Sequence, residues 1–324
     1  MCTAISWLGA HHFFGRNLDL EYAYKECIAI TPRAFPFCFR KVEPLLDHYA
    51  MIGTATIADD FPLYYEATNE AGLSMAGLNF PGNATYFPEK KNRDNVAPFE
   101  LIPWILGQCD SVKAAKELVR NMNVVDITFN ERFPLSPLHW IIADRESSIV
   151  LETMYNGLHV YDDPVGVLTN NPPFPYHLIN LANYMALSPR QPEDRFSNGL
   201  GFIHYSNGMG GIGLPGDLSS ASRFVRASFH VRNSIGRQNV EGDIAHFFHL
   251  LQAVQMSRGS VIMPDGRYEI TLYSSCCDTD AGIYYYQTYE GGQICAVDMQ
   301  KADLNSGRLI QYPMLRKPKI HKQN

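Results

Sequence analysis

The residues that most favour strands are gathered towards the two ends of this 324-residue chain, and that distribution limits its fold more than any other feature. Strand-forming runs are read at 2–8, 12–18, 50–57, 73–78, 138–143, 149–154 and 158–161, then again at 268–276, 283–289 and 293–297. Helical periodicity is clearest at 112–122, behind a cap at Asp110 or Ser111, and at 220–233 and 242–256; residues 99–107 and 176–187 are weaker candidates. The elements do not alternate as β-α-β. The pattern therefore predicts an α+β fold of layered antiparallel sheets instead of a doubly wound parallel sheet. Runs such as Ile283-Tyr284-Tyr285-Tyr286 suit sheets packed face to face under helices. No repeat and no linker divides the chain, so residues 1–324 read as a single domain. The stretch 188–217, rich in Pro, Gly and Asn, is an excursion from it, a pocket rim or an assembly arm.

The first two runs flank Gly9-Ala10-His11, a turn signal, and so form a predicted hairpin. A loop of two or three residues sets Cys2 opposite position 17 or 18, give or take one, with Arg16 and Asp19 beside it. Cys2 directly follows Met1. Once Met1 is trimmed, a thiol and a free α-amine share one carbon, which makes a nucleophile with its own base. An α-amine titrates near ~7.7–8.0, far below a lysine, so at neutral pH part of it is free to take the thiol proton. Such termini are a known route to covalent catalysis. The competing reading makes Cys2 a small buried hydrophobe opening a strand.

The bulk numbers exclude several classes. A chain that is 46% hydrophobic and 19% charged can bury a large core. A net charge of −6 offers no basic face to a phosphate backbone, which argues against a nucleic-acid partner. No apolar window of membrane-spanning length occurs, and Gly9, His11, His12, Arg16 and Asp19 interrupt the first twenty residues, so neither a span nor an export signal is read and a cytoplasmic location is expected. The seven cysteines show no C-x-x-C and no regular spacing, which predicts neither a disulfide framework nor a zinc module; Cys276 and Cys277, adjacent on a strand, are expected on opposite faces.

Other motifs lose on context. Residues 208–213 imitate a dinucleotide fingerprint but lack the preceding strand and the following helix. Gly72-Leu73-Ser74-Met75-Ala76 is a near miss of a nucleophile elbow lying in a predicted strand. His246 and His249 make a helix-face pair without a third ligand. Asp59-Asp60 reads as a solvated turn.

One set of motifs belongs together. Met1-Cys2-Thr3, Phe14-Gly15-Arg16-Asn17-Leu18-Asp19, Asn69-Glu70-Ala71-Gly72-Leu73 with Ala76-Gly77-Leu78-Asn79-Phe80, Gly166-Val167-Leu168-Thr169-Asn170, Leu214-Pro215-Gly216-Asp217 with Ser222-Arg223-Phe224, and Gly282-Ile283-Tyr284-Tyr285-Tyr286 occur in order. From residue 1 to about 300 the chain resembles the choloylglycine hydrolase family, which contains bile salt hydrolases and penicillin V acylases. The resemblance implies an N-terminal-nucleophile hydrolase fold of four layers, α-β-β-α, that cleaves linear amide bonds with no metal or organic cofactor. It implies Cys2 as nucleophile, Arg16 and Asp19 flanking it, Asn79 and Asn170 in oxyanion binding, and Arg223 in the same polar network. A cation beside a thiol favours the thiolate, and backbone or amide donors can receive the oxyanion. Read from residue type alone, both asparagines also suit simple turns, and both arginines suit buried ion pairs with Asp19 or Asp217.

Asn79 stands where penicillin V acylases tend to carry Tyr, which leans towards conjugated bile acids as substrate. Leu18, Tyr22, Tyr24, Tyr65, Phe129 and Phe133 would supply an apolar, aromatic wall for a steroid face, with core packing as their competing role. The alternatives are a penicillin V or N-acyl-homoserine-lactone acylase and, in another class, a non-catalytic binding protein on the same scaffold. The resemblance also suggests a homotetramer.

Overall fold

The computed structural model describes residues 1–237 and 239–324. Its strands are β1 (Cys2–Leu8), β2 (His12–Leu20), β3 (Cys27–Thr31), β4 (Met51–Ala58), β5 (Phe61–Asn69), β6 (Ser74–Asn79), β7 (Asp94–Val96), β8 (Met122–Val124), β9 (Leu138–Ala143), β10 (Ser148–Met154), β11 (Gly157–Asp162), β12 (Val167–Leu168), β13 (Ile270–Asp278), β14 (Ile283–Thr288), β15 (Cys295–Asp298) and β16 (Ile310–Pro313). The helices are α1 (Leu101–Leu106), α2 (Val112–Leu118), α3 (Phe174–Leu181), α4 (Ser220–Asn233) and α5 (Val240–Gln252).

Two large antiparallel sheets result, one ordered β12-β1-β2-β13-β14-β15 and the other β11-β10-β9-β6-β5-β4-β3-β16. Helices α4 and α5 lie on the first sheet and α1 on the second, giving the expected α-β-β-α layering. Period-two alternation sorts the side chains between two cores. Ile28, Ile30, Ala76 and Ile141 join Leu18 and Phe14 between the sheets and towards α3–α5, while their neighbours Ala29, Met75 and Ile142 face α1 and α2. Cys277 accordingly meets Thr68 of the opposing sheet, on the face opposite Cys276.

The predicted hairpin stands as expected: residues 9–11 form the loop, and Cys2 pairs with Leu18. Gly15 is required where β2 crosses β13, since a Cβ there would collide with the Ser275 carbonyl. Asp59 and Asp60 both take positive φ (48° and 58°), the conformation of a type I′ turn, and join β4 to β5.

Several boundaries move. The helix expected at 112–122 ends at Leu118, because residues 119–121 tighten into a 3-10 turn that delivers Met122 into β8. The helix expected at 176–187 starts at Phe174 and stops at Leu181. The one expected from Gly242 starts at Val240, where the Asn239 side chain caps it by accepting from Gly242 N (2.7 Å). Strands β3, β5 and β16 were not legible: Pro62 and Glu66 break the apolar pattern of β5, and β16 ends on Pro313 at a sheet edge. Residues 188–217 hold no strand and a single 3-10 helix, Met209–Gly211, and they expose Phe196, Phe202, Ile203 and Tyr205. Among the described residues no helix is long and apolar enough to cross a membrane.

Candidate active site

Alternation along the first hairpin splits the sequence-predicted residues between two faces. Cys2, Arg16 and Leu18 point towards the opposing sheet, whereas Thr3, Asn17 and Asp19 point towards the helices. All six are buried.

On the inter-sheet face, Arg16 bridges the two sheets. Its Nη1 donates to the carbonyls of Gly77 (2.6 Å) and Tyr65 (3.0 Å). The Tyr65 carbonyl is free to accept because β5 bulges there, with Glu66 opposite Thr54 and Tyr64 opposite Ala55. Glu66, the counter-charge, sits 3.8 Å from Arg16 Nε and accepts from the hydroxyls of Tyr273 (2.8 Å) and Tyr284. Arg16 thus pairs with Glu66, not with Asp19 as residue type allowed. Burial works against the Arg16 charge, but Cys2, Tyr273, Glu66 and Asp19 around it hold the guanidinium above its ordinary value. Burial raises the Glu66 carboxyl, opposed by Arg16 and the two tyrosines.

On the helix face, α4 supplies Arg223. Its Nη1 donates to the Cys2 carbonyl (2.5 Å) and to Thr3 Oγ1 (2.6 Å), its Nη2 to Asn170 Oδ1 (2.7 Å), and its Nε to the Leu218 carbonyl (3.1 Å). Asp217, the other candidate partner, instead braces the turn before α4, where Ser219 is the cap: it accepts from Ser219 N (2.9 Å) and the Ser222 hydroxyl (2.5 Å), and hydrogen bonds from these two serines hold its carboxyl down at about 2. Asn170 receives the Cys2 N–H on Oδ1 (2.9 Å), and its Nδ2 donates to the Asn79 carbonyl (2.7 Å), so the two asparagines are joined directly. Asp163 prepares this segment by accepting from the N–H groups of Val165, Gly166 and Val167, each at 3.0 Å, which fixes the turn into β12.

Asp19 lies opposite Thr271 beside a second bulge, between Thr271 and Tyr273. Its Oδ1 accepts from the Thr271 hydroxyl (2.6 Å), and its Oδ2 is buried without a hydrogen-bond partner among the described residues. Burial raises this carboxyl, with Arg223 and the terminal amine pulling it back. The Met1 amine donates to the Asp19 carbonyl (2.7 Å) and pairs with Glu269; its own burial lowers its pKa. Thiol, amine end, amide donors and a buried carboxylate therefore converge on one strand end.

The aromatic residues form one connected wall. Tyr22 and Tyr24 share a hydroxyl contact (2.5 Å), the Tyr24 ring lies 6.4 Å from Phe133, and Phe133 lies 6.2 Å from Phe129. Thr56 links the wall to Tyr65, bonding its hydroxyl (3.0 Å) and the Tyr24 carbonyl (3.3 Å). Leu18 is the buried member, opposite Cys2, while Tyr22 is exposed. A separate cavity of about 420 Å³, lined by acidic side chains including Asp110, Asp144 and Asp280, lies at the far end of β13 and touches none of these groups. Nearby, His11, Asp278 and Asp280 bring ligand atoms within 4.8 Å of one another, but Arg145 already holds Asp280 (2.5 Å) and His11 holds Asp278 (2.8 Å).

Glu66, Tyr273, Tyr284 and Thr271 were missed from sequence. Three of them lie on strands whose bulges leave no trace in periodicity; a Glu inside an apolar, Tyr-rich run was the one available signal.

A buried thiol at the start of the opening hairpin, flanked by a guanidinium on each face and by paired amides, defines an N-terminal-nucleophile hydrolase on an α-β-β-α scaffold. Residues 2–312 match the model of the linear amide C-N hydrolases, choloylglycine hydrolase family, and the chain belongs to that family. It is 51% identical over 314 residues to a bile salt hydrolase/transferase of Lactiplantibacillus plantarum, covering 97% of each chain. It is similar along its whole length to the crystal structure of the mutant C2A conjugated bile acid hydrolase from Clostridium perfringens (TM-score 0.92, 36% identity, 100% of both chains). A penicillin V acylase from Agrobacterium tumefaciens shares the fold at 19% identity and a TM-score of 0.77, covering 96% of this chain and 91% of that one.

Proposed function

We propose that this chain hydrolyses the amide bond of glycine- and taurine-conjugated bile acids once Met1 has been removed. The observation that carries the proposal is the gathering of Cys2, Arg16, Asp19, Asn170 and Arg223 at one strand end in a chain half identical to a bile salt hydrolase/transferase. In this reading the Cys2 sulfur attacks the amide carbon and its proton passes to the α-amine. Arg16 stabilises the thiolate, Asp19 orients the amine, and Asn79 with Asn170 receives the oxyanion. The protonated amine then donates to the nitrogen of the departing glycine or taurine, leaving a thioester that water cleaves to free bile acid and thiol. Arg223 keeps the Cys2 carbonyl and Asn170 in register.

The wall of Leu18, Tyr22, Tyr24, Tyr65, Phe129 and Phe133 offers an apolar face to the steroid. Purified chain incubated with taurocholate, glycocholate and penicillin V, with released amine measured, is expected to deconjugate both bile salts. Strong turnover of penicillin V with none of either conjugate overturns the assignment.

The unit is read as one domain, residues 1–324, working in the cytoplasm as a homotetramer. The exposed apolar side chains of residues 188–217 support assembly through that arm. Sedimentation is expected to show tetramers for the parent chain and smaller species when Phe196, Phe202, Ile203 and Tyr205 are changed to serine; unchanged tetramers in that variant dismiss the arm.

A further inference from the structure

His139 on β9 and Glu152 on β10 are completely buried behind the two asparagines. The ring Nδ1 lies 3.0 Å from Glu152 Oε1 and Nε2 lies 3.0 Å from the Thr169 carbonyl oxygen. A neutral imidazole has a single N–H to donate, yet both partners are oxygens. Keeping both bonds takes an imidazolium against a carboxylate, or a neutral ring against a carboxylic acid. In either form the pair carries no net charge and shares one proton. Packing alone does not call for it, because apolar side chains of similar volume fill such a space without the desolvation cost.

The contacts of the pair run to the two segments that carry Asn79 and Asn170. Phe80, the neighbour of Asn79, stacks on the imidazole at 4.3 Å with the planes 4° apart. Thr169, the neighbour of Asn170, takes the Nε2 bond. Glu152 Oε1 also accepts from Phe174 N (2.9 Å), the first residue of α3, and one turn further His177 bonds the Asn170 carbonyl (2.9 Å). Burial lowers the His177 pKa, which keeps its ring neutral and leaves Nε2 as the donor to that carbonyl.

We propose that His139 and Glu152 are positioning residues that set the spacing between Asn79 and Asn170, and through it the oxyanion site; this rests on the oxyanion role given to the asparagines above. The pair acts on the transition state without touching the nucleophile. H139Q removes the ring that Phe80 stacks on and one of the two bonds, while E152Q keeps an acceptor for Phe174 and breaks the shared proton.

The test uses both variants in the full chain. Each is expected to lose about 10- to 100-fold in kcat, the scale of a displacement of about 1 Å in a catalytic group, with KM changed little. Alkylation of Cys2 by iodoacetamide, a displacement that builds no oxyanion, is expected to keep its parent rate. A folded variant with parent kcat, an alkylation rate that falls in step with kcat, or loss of cooperative unfolding in both variants overturns the assignment. A parent chain that cleaves penicillin V and no conjugate fails the substrate reading alone, and the same comparison is then read on penicillin V.

Discussion

Replacing Cys2 by serine is expected to remove roughly four to six orders of magnitude from kcat, the loss seen when a covalent nucleophile is taken out of a working assembly. A hydroxyl is a far weaker acid than a thiol, so no anion is formed ahead of the attack for Arg16 to stabilise, and the amine has to remove the proton in the transition state itself. The substitution changes one atom in a residue that is 3% exposed and whose backbone keeps its bonds to Asn170 and Arg223. Circular dichroism should therefore report a parent-like fold. The measurement is released glycine or taurine under single-turnover conditions; retention of even one part in a hundred of the parent rate, a deficit of about 2.7 kcal/mol, would show that the reaction does not depend on the thiol.

Arg223→Met is the second large effect, and it falls on stability as well as turnover. The arginine is wholly buried and donates to Cys2, Thr3, Asn170 and Leu218, so the methionine takes a bond from four acceptors, of which Asn170 Oδ1 keeps the Cys2 N–H. It also leaves the Asp19 carboxylate without the charge that most opposes its desolvation. Breaking one side of a buried charged arrangement typically costs about 3–5 kcal/mol, and that is the expected fall in unfolding free energy by urea titration. The pH dependence has a definite sign. Asp19 is already raised in the folded state and rises further without Arg223, so the folded variant binds the extra proton and its deficit shrinks as the pH is lowered. A deficit that grew on acidification would mean that Arg223 does not compensate Asp19. Arg223→Lys should recover part of the stability but not the paired contacts to Cys2 and Asn170, because an ammonium cannot reproduce the planar fork.

The opening hairpin was legible because three signals agreed on it: β-forming residues on both sides, a Gly-containing turn, and a loop length that fixes register. The expected loop put position 17 or 18, give or take one, opposite Cys2, with Arg16 and Asp19 close by, and the structure settles on Leu18. Asn170 and Arg223 are different. They reach Cys2 from 168 and 221 residues away, and no local pattern encodes such a meeting; the ordered motifs shared with a family did. Glu66 escaped both routes, since its part depends on a one-residue bulge that frees the Tyr65 carbonyl and leaves the sheet otherwise regular. His139 escaped for a simpler reason: a lone histidine in the strand Leu138-His139-Trp140-Ile141 resembles any satisfied core residue. The helix ends were misplaced where capping and 3-10 turns, not hydrophobic period, decide where a helix stops.

The bonds from Arg16 to Gly77 and Tyr65 limit how this catalyst can be moved between scaffolds. A designer who transplanted the first hairpin alone would carry the thiol and the guanidinium but leave behind the acceptors and the counter-charge on β5 and β6, and Arg223 on α4. The smallest portable unit is a pair of sheets with one helix layer, nearly the entire chain. Shuffling between relatives should accordingly succeed when both sheets travel together, and fail when the boundary is drawn along the seam that Arg16 fastens.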